Sequence, residues 1–368
     1  MPPKPSFTLG IEEEFQVVDP ATRELKSHIA EMFAEGEKRL KDEIKREMHD
    51  AVIEVGTPIC TDVAHARREV TRLRGEISRL TRESGLRIAS AGTHPISHWA
   101  NVAITPVARY DKIIYDLQMI ARANLVFGLH VHVAIEDNET RIQVMNAARY
   151  FLPHIFALSV NSPFWCGHNT GWKSYRTKVF ERFPRTGLPD FFRGWSEFEE
   201  QVSLLVRTNC IDNAKKIWWD VRPHPFFPTL EYRICDVPMR IDETICFAAI
   251  FQAVTVKLWK IYNSNMSWRI YRRSLINENK QRAARFGVEG MLIDFGKGAE
   301  VPFEQLLDEL LEFIDDVVDE LGSRKEVYYA REILKHRTGA DRQLAAYEKR
   351  KDLRDVVDYI IQETEIGL

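Results

Sequence analysis

The apolar positions of the chain fall into two periods. From Phe7 to Val18 (FTLGIEEEFQVV) aromatic and β-branched residues cluster and stop at Asp19-Pro20, which predicts a strand followed by a turn. From Thr61, the residues Val63, Ala66, Val70, Leu73, Ile77 and Leu80 recur at steps of three and four, with Gly85 beyond them. That is an amphipathic helix with a C-terminal stop. A strand over Arg87 to Ala91, a helix near Val107 to Ala123, a strand over Leu125 to Ile135 and a helix from about Glu139 to Val160 follow. Asn161 to Gly194 has much Pro, Gly and aromatic residue and no period, which predicts a long irregular segment near a functional site. Lys216 to Arg222 and Thr229 to Val237 read as strands joined through Pro223, Pro225 and Pro228. After Ile241 nearly everything reads as helix, clearest over Val301 to Leu321 and Leu353 to Gln362. Strands confined to the first part of the chain give an α+β class with a largely antiparallel sheet. No linker or repeat divides the sequence, so residues 1–368 are expected to form a single catalytic domain whose portion from about 241 to 368 is mostly helical.

Composition changes this picture only by exclusion. Lys+Arg 51 against Asp+Glu 54 leaves a net charge of −3, without long basic runs, so there is no footprint for nonspecific nucleic-acid binding. The N-terminus turns acidic before an apolar signal region forms, and the apolar run Ile245 to Val256 is shorter than a membrane span of about 20 residues. A cytoplasmic protein without membrane or nucleic-acid partners is expected. Cys60, Cys166, Cys210, Cys235 and Cys246 are scattered, which favours free thiols over a disulfide framework or a zinc ribbon.

Four segments carry candidate chemistry. In Glu12-Glu13-Glu14, strand alternation puts Glu12 and Glu14 on one face with Gly10 and Gln16. Two crowded like charges ask for a cation, although a charged edge strand would also explain them. In Gly128-Leu129-His130-Val131-His132-Val133 both histidines share a face, as metal or phosphate ligands or as half-buried hydrogen-bonded groups. Glu231 and Arg233 share a face in Thr229 to Asp236, preceded by Arg222-Pro223; neighbouring-strand ion pairs are the simpler alternative. Asp50 to Thr57 places Glu54 in a β-branched run, with Asp50 on the same strand face. Together they predict a sheet with a polar floor. Oxygen ligands from Glu12, Glu14, Glu54 and Glu231, with a histidine, favour Mg²⁺ or Mn²⁺ over zinc, and hard metals beside arginines suggest phosphates. Neither G-x-x-x-x-G-K-[ST] nor G-x-G-x-x-G occurs, so an ATP site would lie on the sheet. Asp294-Phe295-Gly296 lacks the H-R-D partner of a kinase.

Leu9-Gly10-Ile11-Glu12-Glu13-Glu14, Gly92-Thr93-His94-Pro95, Phe127 to Val133, and Asp220-Val221-Arg222-Pro223 leading to Thr229-Leu230-Glu231-Tyr232-Arg233 resemble the bacterial carboxylate-amine ligases of the type 2 glutamate-cysteine ligase family, from about Phe7 to at least Leu321. The resemblance implies a glutamine-synthetase-like fold whose concave sheet face binds ATP and Mg²⁺, and a homodimer. It implies that ATP phosphorylates a carboxylate and that an amine then displaces phosphate, the acid being glutamate and the amine one such as that of cysteine. Glu12, Glu14, Glu54, Glu231 and His132 would be metal ligands, with His130 near the metals or phosphates. Arg233 and Arg222 would bind the phosphoryl group or the substrate carboxylate, and an acid is expected at Asp50. Competing readings are a guanidino or amine kinase of the same superfamily, a metal-dependent hydrolase, and a noncatalytic nucleotide-binding regulator.

Overall fold

The computed structural model describes residues 3–27 and 29–368, with the side chains of residues 29–31 left undescribed. Its centre is an antiparallel sheet of seven strands. β1 (Leu9–Val18) pairs on one edge with β3 (Val52–Gly56), which pairs with β2 (Ile44–Arg46). On its other edge β1 pairs with β4 (Arg87–Ala89) and β5 (Leu129–Ala134). The hairpin of Val221–Pro223 and Thr229–Tyr232 continues the sheet from β5.

Why the sheet has two unlike faces follows from β1. Leu9 and Ile11 are buried towards the helices while Gly10, Glu12 and Glu14 are only partly buried on the opposite side. Helix α2 (Val63–Glu83) buries the six apolar positions expected of it. Asp62 caps its start by accepting a hydrogen bond from the His65 amide at 2.7 Å. The helix Ile241–Asn263 lies in the same apolar core as the sheet, α2 and the C-terminal helix Phe303–Val318. It is long and apolar enough to cross a membrane, yet 83% of its most apolar window is buried inside the protein.

Several expectations are corrected. The helix expected over Val107 to Ala123 is split at Gln118, whose φ of 49° ends Ala108–Leu117 before Met119–Arg122 begins. The helix from Glu139 is interrupted by a tighter turn at Arg149–Phe151 before Leu152–Ser159; Pro153 has no amide hydrogen to continue the regular ladder. Strands are not confined to the first part of the chain, since Met291–Asp294 pairs with Ala299–Pro302. Asp50 precedes β3 in a turn and accepts from the Ser27 hydroxyl at 2.5 Å. The segment 161–194, expected to be irregular, contains the short helix Tyr175–Phe180 and two-residue strands. Helix α1 (Ile29–Leu40) and β2 had no counterpart in the sequence reading.

Candidate active site

Antiparallel register assembles the site. Glu12 lies opposite His130 on β5 and Gly56 on β3, and Glu14 lies opposite Glu54. One strand further, His132 faces Glu231, which faces Arg222. Arg233, just past the end of its strand, turns its guanidinium back onto the Glu231 carboxylate. Residues far apart in sequence thus form one polar floor because each strand puts alternate residues on it.

Within that floor the structure separates two groups. Ligand atoms of Glu12, His132 and Glu231 lie within 4.8 Å of one another. The His132 Nδ1 is 3.0 Å from the Thr229 hydroxyl, which leaves Nε2, 3.7 Å from Glu12 Oε2, to face the cluster. Two carboxylates and an imidazole nitrogen suit a divalent cation such as Mg²⁺ or Mn²⁺. Glu14 and Glu54 stand apart from this triad, beside Glu47. Glu14 accepts from the Gly128 amide at 2.5 Å. Glu54 is paired at 2.8 Å with Lys45, whose ammonium also reaches Glu12 at 2.8 Å.

The electrostatics differ accordingly. Burial tends to raise Glu12, but hydrogen bonds from His130 and His132 outweigh it and hold the carboxyl well below its ordinary range. Glu231 is also held well below, because Arg233 and Arg222 outweigh its burial. Glu14 rises to about 7 through burial and the charge of Glu54. Glu54 rises to about 8 through burial and the charges of Glu12 and Glu47, and Glu47 to about 7 through burial and Glu14. The histidines diverge. Burial and Arg233 push His130 down to about 4, so it is neutral, whereas Glu12 and Glu231 raise His132 against its burial.

The arginines expected to bind anions also differ. Arg222 donates to both Glu231 oxygens, at 2.8 and 3.3 Å, and to the Lys215 and Ile217 carbonyls at 2.9 and 2.5 Å. Four of its five N–H donors are engaged within the protein, two of them on Glu231, so it orients that carboxylate. Arg233 keeps a buried Nε without a hydrogen-bond partner.

One cavity reaches the triad directly, and a second lies beside His130 and Arg233, which contact the triad. The second, of about 180 Å³, is bordered by Glu14, Glu47, Asn124, His130, Arg176 and Arg233. The first, about 590 Å³, borders Glu12, Lys45 and His132 and is walled by Ile11, Pro58, Ile59 and Phe227. Lys45, Glu47, Asn124 and Arg176 join the site without any signal in the sequence. Nothing in a short strand or an aperiodic segment sets these side chains apart from others of their type.

Three clustered metal-ligand side chains on the polar face of an antiparallel sheet, with an arginine and two cavities nearby, suit the chemistry of an ATP-dependent carboxylate-amine ligase. Residues 8–359 match the family described as glutamate-cysteine ligase family 2, and the chain belongs to that family. A protein of Solibacter usitatus, provisionally named glutamate–cysteine ligase 2, is 57% identical over 99% of this chain and 95% of its own length. One of the same provisional name from Herpetosiphon aurantiacus is 52% identical over 98% and 94%. Among solved structures, the glutamate–cysteine ligase of Francisella tularensis in complex with AMP matches with a TM-score of 0.69 at 12% identity, over 98% of this chain and 89% of that one. A bifunctional glutathione synthetase from Pasteurella multocida matches with a TM-score of 0.72 at 15% identity, over 97% of this chain and 52% of that one. These two likenesses show the fold.

Proposed function

We propose that the protein joins the γ-carboxylate of glutamate to the amine of an amino acid such as cysteine, with ATP and Mg²⁺ or Mn²⁺. The observation that carries this reading is the Glu12–His132–Glu231 triad, with one cavity reaching Glu12 and His132 and another, of different character, bordered by their neighbours His130 and Arg233. The wider, apolar-walled cavity suits a purine, with phosphates directed to the triad. The smaller, charged cavity suits the organic substrates. The relatives' names and the AMP-bound neighbour support the substrate class.

A carboxylate is a poor electrophile, so the reaction needs a leaving group. A carboxylate oxygen attacks the terminal phosphorus of ATP as the bond to the ADP oxygen breaks. The amine then attacks the acyl carbon, the C–N bond forms, the C–O bond to phosphate breaks, and the nitrogen loses a proton. A divalent cation on Glu12, His132 and Glu231 would screen the repulsion between the two anions and polarise the phosphoryl oxygens. Glu14 and Glu54 are proposed as ligands of further cations. Arg233 stabilises charge on the transferring group, Arg222 fixes the Glu231 carboxylate, and neutral His130 sits between Glu12 and Arg233 as a hydrogen-bonding group. No side-chain nucleophile is needed, because positioning and charge neutralisation supply the catalysis.

Residues 1–368 are proposed to act as a single catalytic domain, in the cytoplasm and as a homodimer; a chromatographic mass of one chain would remove the dimer. The reading is tested by mass spectrometry of the purified protein with Mg²⁺, ATP, glutamate and a panel of amines, with ADP measured in parallel. An amide mass matched by ADP is expected. ADP with a phosphorylated acceptor and no amide would favour a kinase, and ATP binding without turnover a regulator.

A further inference from the structure

Two residues that border the smaller cavity each carry a buried, unpaired polar atom, of opposite kind, that the chemistry above leaves unused. Arg176 is 3% exposed, forms no ion pair among the described residues, and its Nε has no hydrogen-bond partner. Its terminal nitrogens reach only the Ile234 and Arg233 carbonyls, each at 3.3 Å. The Asn124 Oδ1 is likewise buried and unpartnered. Buried polar groups are ordinarily satisfied, so an unspent donor and an unspent acceptor on two residues that border one cavity point to a ligand that supplies both complements. The guanidinium also has a prepared place: Gly128 passes against it, and a side chain there would collide with its Nη2. Gly128 thus keeps the route open for Arg176 into the cavity.

We propose that Arg176 and Asn124 bind the α-carboxylate and the α-amino nitrogen of the amino acid that supplies the amine. This rests on the ligase reading above. The position favours the acceptor over the acid. His130 and Arg233 line the cavity on the side of the triad, where the carboxylate being phosphorylated must lie, and His130 contacts Glu12 while Arg233 contacts Glu231. Arg176 and Asn124 serve the remainder of the space, next to an apolar wall of Tyr110, Ile113, Phe183 and Trp218 that suits an uncharged acceptor side chain. Arginine matches a carboxylate through paired donors, and an amide oxygen accepts from an amine without protonating it.

The test compares each acceptor with its decarboxylated analogue, cysteine with cysteamine and 2-aminobutyrate with propylamine, in full-length protein with Mg²⁺, ATP and glutamate. The wild type is expected to prefer the amino acids, chiefly through KM. Arg176→Gln should raise the acceptor KM by about 30-fold or more, the loss of a charged hydrogen-bonding pair, and leave the KM for ATP within about twofold. Its preference over the decarboxylated amines should largely vanish. Arg176→Lys keeps the charge in the buried site and should recover part of the preference, which makes it the usable variant if Arg176→Gln does not fold. Equal use of both analogues by the wild type, or a preference unchanged in the variants, would overturn the proposal. Failure of the ligase reading looks different, since the wild type itself would then make no amide with any acceptor.

Discussion

Three consecutive glutamates on β1 meet opposite fates. Glu13 points to the helical side, where Arg74 of α2 grips it at 2.5 and 2.9 Å and Thr244 donates to it at 2.6 Å. With side chains 0% and 2% exposed, Arg74 and Glu13 form a closed, fully paired unit. Glu12 and Glu14 point to the other side, where carboxylates outnumber the cations around them and cavities open. The helical face has removed its charge problem by pairing; the open face retains one that the proposed cation would resolve. Stability and function are thus separated by the pleat of a single strand.

The largest expected effect breaks that symmetry directly. Glu12→Gln or Glu231→Gln should lower kcat by about 10²-fold or more while the protein still melts cooperatively, as measured by steady-state ADP release and calorimetry. Full activity in either variant would end the triad assignment. Glu13→Gln should act in the opposite sense. Leaving the Arg74 guanidinium buried without its charge partner should cost about 3–5 kcal/mol of stability, with kcat at low temperature little changed. A silent Glu13→Gln would erase the contrast between the faces.

A third prediction concerns pH. Glu14, Glu47 and Glu54 hold their protons to about 7, about 7 and about 8 in the folded protein, above the ordinary range they regain on unfolding. The stability this gives is present at low pH and is lost as pH rises through those values. Between about pH 7.5 and 8.5, where the depressed histidines are almost wholly neutral in both states, the melting temperature of protein in EDTA should therefore fall. Millimolar Mg²⁺ should flatten the slope, as should Glu54→Gln. A melting temperature that rises with pH in EDTA would show that the acids are not crowded.

The smallest effect belongs to the helical face. Asp62→Ala removes the N-cap of α2, which carries Arg74, and should cost about 1 kcal/mol with kcat and all three substrate KM values unchanged. A change in KM would mean that α2 transmits to the open face.

Much of this was legible before folding. Period two on β1 and β5 put Glu12, Glu14, His130 and His132 on one face, and steps of three and four placed the buried positions of α2. Those are local consequences of backbone geometry. The sequence could not say which strands would be neighbours. Tertiary register brought Glu12, His132 and Glu231 together and left Glu14 and Glu54 beside Glu47. It also turned Arg222 inward onto Glu231, closed Lys45 over two acids and brought Arg176 past Gly128. Alternation along a strand is fixed by the chain's own stereochemistry, whereas meetings between strands depend on how the whole core packs, which no local spacing encodes.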